Sequence, residues 1–238
     1  MRTHIGTSGY AYKEWLGSFY PDKLSTKKML PYYAARLSTV EANNTFYRMP
    51  SKQALEGWRS EVPDGFVFAV KAPQRITHFA RLKEESYESL AYFLDVVAVL
   101  GPALGPLLFQ LPPNLKRDDT RLAAFLHRLP RERRAAFEFR HESWFDEAIY
   151  ALLAAHNVSL VISESDKPDT SDAPLRRTAD WVYLRLRKEG YSTAELDVWA
   201  ERLQTFGVDE AYVYFKHEDA GQAPRLAQQL GEALQRRR

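Results

Sequence analysis

The chain has 238 residues, enough for one sizeable core, which predicts one domain over residues 1–238. Hydrophobic residues make up 45% and charged residues 27%, which argues against a disordered or fibrous protein. The net charge of +2 is too small to indicate a class of binding partner. The absence of cysteine excludes disulfide and thiolate chemistry. Since Met1–Gly6 lacks the apolar core of a signal peptide and Leu104–Leu111 is too short to span a bilayer, we expect a cytoplasmic protein without membrane association.

Short β-rich runs alternate with longer helical patterns, which is typical of parallel βαβ units. Strands are predicted near 3–7, 39–43, 66–71, 105–111, 135–140, 158–163, 181–187 and 211–216. Eight such units predict a single parallel eight-stranded (β/α)8 barrel, the TIM-barrel fold, whose usual length is about 250 residues.

Apolar residues at helical spacing predict helices around 90–97, 195–206 and 226–234. The second of these follows a capping box formed by Ser192 and Glu195, which marks its beginning. The segment from Glu164 to Thr178 is rich in Asp, Ser and Pro, and we predict a loop there.

Polar side chains lie late in six of the predicted strands, at alternate positions. In 135–140, for example, the Phe residues take one face while Glu138 and Arg140 take the other. Because the apolar faces belong against the helices, the polar faces should point into the barrel near the strand C-termini, where barrel enzymes place their sites. The residues expected to converge at this mouth are Glu41, Asn43, Lys71, Gln110, Glu138, Arg140, Arg185, Arg187 and Lys216.

These charged residues have two interpretations. They could form structural ion pairs, such as Glu138 with Arg140 or Arg185. Burying several cations with two carboxylates is costly unless they are paired or meet a ligand, and the convergence of six strands favours a functional pocket.

The chemistry of the cations predicts a small anionic ligand. Arg140, Arg185 and Arg187 supply planar donors suited to two oxygens of a carboxylate or phosphate, and Lys71 and Lys216 supply compact charges. No cofactor is identified by the sequence.

Three residues are candidates for proton transfer. Glu41 and Glu138 could act as general base or acid, with a structural salt bridge as the alternative for each. His78 could shuttle a proton, or it could bond to its own loop. The first hypothesis is therefore an enzyme, a hydrolase, lyase or isomerase, that acts on a small phosphorylated or carboxylated compound.

Aromatic residues follow the strands in the loops that should ring the mouth, where they could bind the ligand or pack on the strand ends. They are Tyr10, Tyr12, Trp15, Phe46, Tyr47 and Trp144. Aromatics beside cations also suit nucleic acid, so the second hypothesis is a nucleic-acid-binding barrel, including a metal-dependent phosphodiester hydrolase. A surface that only docks a protein partner is the third.

The sequence gives weaker indications of metal binding and of glycoside hydrolysis than of anion binding. His141 and His217 lie just past strand ends, but no short metal-site motif occurs, so the metal status is left open. Two opposed carboxylates could cleave a glycosidic bond, yet the excess of cations fits a neutral sugar poorly.

Several segments together resemble the YecE-like family, the family of unknown function numbered seventy-two. They are Ile5–Tyr10, Trp15 with Phe19–Pro21, Val40–Tyr47, Phe68–Pro73 with Ile76–His78, Leu108–Pro113 and Glu138–His141 with Trp144. The resemblance runs in order over nearly the whole chain. It implies a TIM barrel, in agreement with the strand pattern, and no established activity.

Two strands depart from the family pattern. Where many members have Tyr-Val-Arg-Leu-His-Gly, this chain has Tyr183–Lys188, so that a guanidinium at Arg187 replaces an imidazole. The common Tyr-Phe-Asn-Asn is replaced by Tyr214–Glu218, which adds Lys216. Both changes add charge, and we expect a ligand preference different from that of other members.

Overall fold

Eight parallel strands close into a barrel in the computed structural model, which describes residues 1–166, 174–216 and 220–237. The strands are β1 (Arg2–Ser8), β2 (Thr39–Ala42), β3 (Val67–Lys71), β4 (Leu104–Gln110), β5 (Ala135–Glu138), β6 (Ser159–Glu164), β7 (Trp181–Leu186) and β8 (Glu210–Phe215). Each strand pairs with the next, and β8 pairs with β1. The predicted (β/α)8 TIM barrel is therefore confirmed.

Eight α-helices follow or flank the strands in the described residues. They are α1 (Met29–Ala34), α2 (Asn44–Tyr47), α3 (Lys52–Ser60), α4 (Tyr87–Val97), α5 (Asp119–Leu126), α6 (Glu147–Ala155), α7 (Thr193–Thr205) and α8 (Gln222–Arg236). The three predicted helices correspond to α4, α7 and α8. Helix α7 begins directly after Ser192, and both hydrogen bonds of the capping box are present. Within the described ranges, no helix is long and apolar enough to span a membrane.

The predicted loop between Glu164 and Thr178 falls in part on residues 167–173, which lie outside the described residues. Its described flanks contain no helix. His217 also lies outside the described residues.

The alternation along the strands separates two hydrophobic layers. The outward side chains, such as Phe68 and Leu184, belong to the large core between strands and helices. The inward side chains fill the barrel itself, among them Leu108, Tyr183 and Tyr214. An eight-stranded barrel is just wide enough for side chains to fill it, so the interior is a solid floor beneath the mouth.

A second buried polar cluster closes the opposite, N-terminal end of the barrel. Glu210 at the start of β8 accepts a hydrogen bond from His4 Nε2 (2.7 Å) and forms an ion pair with Arg134. Arg134 also donates to the Tyr212 hydroxyl (2.7 Å), and the Tyr212 ring stacks on His4. Because this end of such barrels serves stability, we assign these groups a structural role.

Gly6 and Gly57 form a matched pair for testing the barrel geometry. A Cβ on Gly6 would lie 2.0 Å from the Thr39 carbonyl oxygen, where β1 and β2 approach closely, whereas a Cβ on Gly57, inside α3, would meet no atom within 4 Å. We expect Gly6→Ala to lower the free energy of unfolding by about 2 kcal/mol or more, because the strands must separate. Gly57→Ala should raise it by about 0.5–1 kcal/mol through helix propensity. Urea unfolding measures both, and a neutral Gly6→Ala would contradict the close approach.

Candidate functional site

A cavity of about 400 Å³ lies at the mouth of the barrel, beyond the C-terminal ends of the strands. It is lined by Tyr12, Asn43, Phe46, Tyr47, Lys71, Gln74, His78, Gln110, Arg140, Arg185, Arg187 and Lys216. All of these except Gln74 are residues that the sequence placed at or around the mouth. We call this space the mouth cavity.

The strand ends set the position of the polar groups. Lys71 and Gln110 are the last residues of β3 and β4, and Gln110 lies beside Glu138, the last residue of β5. Three cations that the sequence prediction included in strands, Arg140, Arg187 and Lys216, lie just past the strand ends. The backbone of Arg187 nevertheless still donates to the Glu164 carbonyl (2.9 Å), so the strand direction continues to the cavity rim.

Arg185 lies at the floor of the mouth cavity and joins two carboxylates from other strands. Its Nη2 is 2.8 Å from Glu41 Oε1, and its Nη1 is 2.5 Å from Glu138 Oε2. All three side chains are almost completely buried. The guanidinium therefore connects β7 to β2 and to β5 across the barrel.

The remaining acceptor sites of the two carboxylates are also occupied. Glu41 accepts hydrogen bonds from Ser8, from the Tyr183 hydroxyl (2.7 Å) and from Asn43 Nδ2 (3.0 Å). Glu138 accepts hydrogen bonds from three further side chains at the other end of the cavity. Glu138 receives Gln110 Nε2 at 2.8 Å, Arg187 Nη2 at 3.1 Å and Arg140 Nε at 3.4 Å.

These contacts determine the protonation of Glu41 and Glu138. Burial by itself raises the pKa of each carboxyl, but the charge of Arg185 and the hydrogen bonds outweigh it. The pKa of Glu41 is lowered, and the pKa of Glu138, which also has Arg187 beside it, falls well below its usual value. Both groups are anions at neutral pH and have no proton to donate. Their contacts are those of the structural ion-pair interpretation, and neither carboxyl keeps a proton with which to act as a general acid.

Lys71 is the group in the mouth cavity whose charge changes near neutral pH. Burial, followed by the positive charge of Arg185, lowers its pKa to about 7. Its Nζ donates to Gln110 Oε1 (2.9 Å) and lies 3.9 Å from the centre of the Phe46 ring. No described carboxylate lies within salt-bridge distance of this amine. An amine in such surroundings is suited to accept a proton.

His78 occupies a single π-helical turn, Arg75–Phe79, on the wall of the cavity. Burial, with the charges of Lys71 and Arg140, lowers its pKa to about 4, so the imidazole is neutral at pH 7. Its Nδ1 lies 2.9 Å from the Thr77 hydroxyl, a hydrogen bond within its own loop. The structure thus contains the contact that the alternative interpretation of His78 anticipated.

The cations around the mouth cavity, at its floor and at its rim, give it its electrostatic character. Arg140, Arg185, Arg187 and Lys216 bring four positive charges against two carboxylates. The Nε of Arg187 is buried and has no hydrogen-bond partner, although the side chain lines the cavity. A buried donor without a partner costs free energy unless a ligand satisfies it.

Three of the predicted aromatic residues lie away from the cavity. Trp15 is fully buried against Tyr12, with ring centres 4.8 Å apart. Trp144 stacks on Phe139 and donates its Nε1 to the Leu115 carbonyl (2.7 Å). They pack on the strand ends because burying a large ring against the core is more favourable than leaving it in water. We therefore remove Trp15 and Trp144 from the ligand-binding residues.

Tyr10 also does not line the mouth cavity. It is half-buried on the core, and burial raises its pKa to about 12. The neighbouring Tyr12 and Phe46 line the cavity with Tyr47 instead. Which loop aromatics turn inward depends on the loop path, which leaves no periodic signal in the sequence.

Ser8 and Tyr183 hold Glu41, and the sequence prediction included neither of them in the site. Tyr183 lies two residues before Arg185 in β7 and therefore on the same inward face, and Ser8 lies beside Glu41 in the register of β1 and β2. Gln74, in the loop after β3, had no such signal.

Among the described residues, no group of three or more His, Asp or Glu side chains is placed to hold a metal ion. His141, one of the two histidines noted beyond the strand ends, accepts a hydrogen bond from the Ser143 amide (3.1 Å).

The fold and the site define a TIM-barrel protein with a cationic cavity at the C-terminal mouth. The sequence matches the family described as "Protein of unknown function DUF72" over residues 4–238, and the chain belongs to this family. The resemblance seen in the sequence is therefore confirmed.

Relatives extend this comparison. The chain is 30% identical to UPF0759 protein YunF of Bacillus subtilis over 156 residues, which is 62% of the chain, and it spans only 54% of that protein. A DUF72 family protein from Thermotoga maritima has a similar structure, with 28% identity, a TM-score of 0.82 and coverage of 99% of this chain and 100% of that one.

More distant structures share the fold alone. A DUF72 family protein from Enterococcus faecalis is 20% identical with a TM-score of 0.80, and the match covers 98% of this chain and 95% of that one. A xylose isomerase domain protein from Alicyclobacillus acidocaldarius is 13% identical with a TM-score of 0.54, and 98% of each chain is covered.

The central ion pairs predict a large cost for removing Arg185. Arg185→Met should lower the free energy of unfolding by about 3–5 kcal/mol, because it leaves two buried carboxylates without their main partner. Since the folded-state pKa values of Glu41 and Glu138 are lowered, their contribution to stability is present above the ordinary carboxyl pKa and is lost as the pH falls through the folded values. Without Arg185 the folded-state pKa values rise towards the ordinary value, so this contribution shrinks and the stability of the variant should fall less as the pH is lowered.

Urea unfolding between pH 3 and pH 7 measures both effects. Arg225→Met, which removes an exposed arginine from α8, is the control and should change stability by less than about 0.5 kcal/mol. Equal effects of the two variants would contradict the role of Arg185.

Replacing Lys71 should stabilise the fold, in contrast to the loss expected on replacing Arg185. The unfolded chain keeps its proton up to the ordinary lysine pKa of 10.5, whereas the folded protein releases it near 7, so burial of the charge destabilises the fold most below pH 7. We expect Lys71→Met to fold normally and to raise the melting temperature at pH 6, with a difference from wild type that shrinks towards pH 10. Thermal unfolding across this range provides the measurement. Collapse of the fold would instead identify Lys71 as a structural partner.

Proposed function

We propose that this protein is an enzyme that binds a small phosphorylated or carboxylated compound in the mouth cavity and uses Lys71 for proton transfer. The observation that carries the proposal is the excess of cations around a cavity whose two carboxylates are already paired with Arg185. An anionic ligand would balance this charge, and it would satisfy the unpartnered Nε of Arg187.

The anion would be held by the cations nearest the opening. Arg140 and Arg187 offer guanidinium groups on one side, and Lys216 adds a compact charge from the loop after β8. Arg185 lies deeper and mainly holds the two carboxylates. It would therefore attract the anion through its electric field and would not move to bind it. Fixed donors of this kind stabilise negative charge that develops during a reaction, because they need no reorganisation.

Lys71 would accept the proton. A base is most effective when its pKa lies near the operating pH, and this amine has a pKa of about 7. Its hydrogen bond to Gln110, which in turn donates to Glu138, fixes the position of the amine without neutralising it. Such a base suits a hydrolase, lyase or isomerase, the reaction classes indicated by the sequence.

Nucleic-acid binding is a second candidate, including metal-dependent phosphodiester hydrolysis. It is favoured by Tyr47, which is 76% exposed beside the cations of the mouth cavity and could stack on a base. Binding of oligonucleotides that weakens steeply with salt would support this candidate over a small metabolite.

The anion proposal predicts that phosphate, sulfate or phosphorylated metabolites at millimolar concentration stabilise the folded protein. A ligand bound only by the native state, at a hundred times its Kd, adds about 2.7 kcal/mol, or a shift of about 5–10 °C for a chain of this size. Thermal unfolding with a panel of sugar phosphates and carboxylates measures the shift. It also ranks the two anion classes.

General salt effects are separated by a double variant. Arg140→Ala with Arg187→Ala removes both clamps and should abolish the specific shift, whereas Arg225→Ala on the exposed face of α8 should retain it. Arg185 is left in place because it holds the two carboxylates. If no anion shifts the wild type more than the double variant, the cavity is an ion-pair network and the enzyme proposal fails.

A further inference from the structure

A second, larger groove of about 780 Å³ adjoins the mouth cavity. The two spaces share Phe46, Tyr47 and Gln74 as walls. Beyond these residues the groove runs between the π-helical turn after β3 and helix α4, past Phe79 and Tyr92. We call it the aromatic groove. A ligand that fills one space would need little extra length to enter the other.

The aromatic groove collects the exposed aromatic side chains of the molecule. The exposed fraction is 76% for Tyr47, 71% for Phe79 and 58% for Tyr92. Within residues 1–166, 174–216 and 220–237, every other Phe, Tyr and Trp side chain is buried or half-buried. All three line this one groove. Single exposed apolar residues are ordinary, but a contiguous set in a concave surface marks a binding site.

The charges of the two spaces differ. The mouth cavity has Lys216 and three arginines against the buried Glu41 and Glu138, whereas the aromatic groove has Arg75 and Lys83 opposed by Glu85. The fitting ligand is therefore anionic at the end in the mouth cavity and flat and weakly charged at the other. A nucleic-acid strand carries a phosphate at every residue and would need cations along the whole groove, so the charge distribution favours a single anionic group.

We infer that the aromatic groove holds the base of a free nucleotide whose phosphate lies in the mouth cavity. This inference rests on the proposed function, since it identifies the class of anion bound there. A planar base suits the rings of Phe79 and Tyr92, because stacking on aromatic side chains is favourable for every base. Phe46 separates the two spaces and contacts Lys71 Nζ, so the base and the reacting end of the ligand would lie on either side of one ring.

Isothermal titration with AMP, ribose 5-phosphate and inorganic phosphate tests the inference. We expect AMP to bind about 10- to 100-fold more tightly than ribose 5-phosphate, because only AMP carries the base. Phe79→Ala and Tyr92→Ala should remove most of this difference and leave the affinity for ribose 5-phosphate unchanged. Both side chains are exposed, so we expect the variants to fold, and circular dichroism checks this.

Val198→Ala is the matched control, because it removes another exposed apolar side chain, from helix α7, and it should leave both affinities unchanged. Equal affinity of the wild type for AMP and ribose 5-phosphate would overturn the inference while leaving the anion site intact. The inference would also be overturned, with the anion site intact, if the wild type prefers AMP but the Phe79→Ala and Tyr92→Ala variants bind AMP as tightly as the wild type does.

Two further outcomes are decisive. A ten-residue single-stranded oligonucleotide that binds more than tenfold more tightly than AMP would overturn the assignment to a free nucleotide in favour of a strand. Absence of binding by all three anions would remove the proposed function, and the inference with it.

Discussion

The bridge from Arg185 to Glu41 and Glu138 is the interaction on which the rest of the mouth depends. It joins three strands at the level where the apolar filling of the barrel ends, and all three side chains are buried. A buried charge without a partner is strongly destabilising, so the three groups must occur together. The bridge engages both carboxylates, and Arg140 and Arg187 add further contacts to Glu138 at the edge of the cavity.

The properties of Lys71 follow from this arrangement. The amine is buried beside a fixed guanidinium, while its direct partners are the amide of Gln110 and the ring of Phe46. Burial and a nearby like charge both favour the neutral amine, and neither partner contributes a full negative charge. A lysine that binds protons weakly therefore lies beside the same ion pairs that keep Glu41 and Glu138 ionised.

Much of the fold and part of the site could be predicted because both rest on periodicity. The period of two along β5 and β7 puts Phe137 and Leu184 against the helices and turns Glu138 and Arg185 inward. The strand order of the barrel then brings these inward groups to one mouth. Loop aromatics follow no such period, and so Trp15 was expected at the cavity although its ring is fully buried.

The sequence by itself determined the eight-stranded barrel, the inward face of each strand and the cationic character of the mouth, because these depend on local alternation and on residue type. Only the tertiary structure decided which charges neutralise one another. Glu41, Glu138 and Arg185 lie far apart in the chain, and their pairing depends on how the strands are staggered around the barrel. Because protonation depends on such distances and on burial, the lowered pKa values of Glu41, Glu138 and Lys71 became visible only in three dimensions.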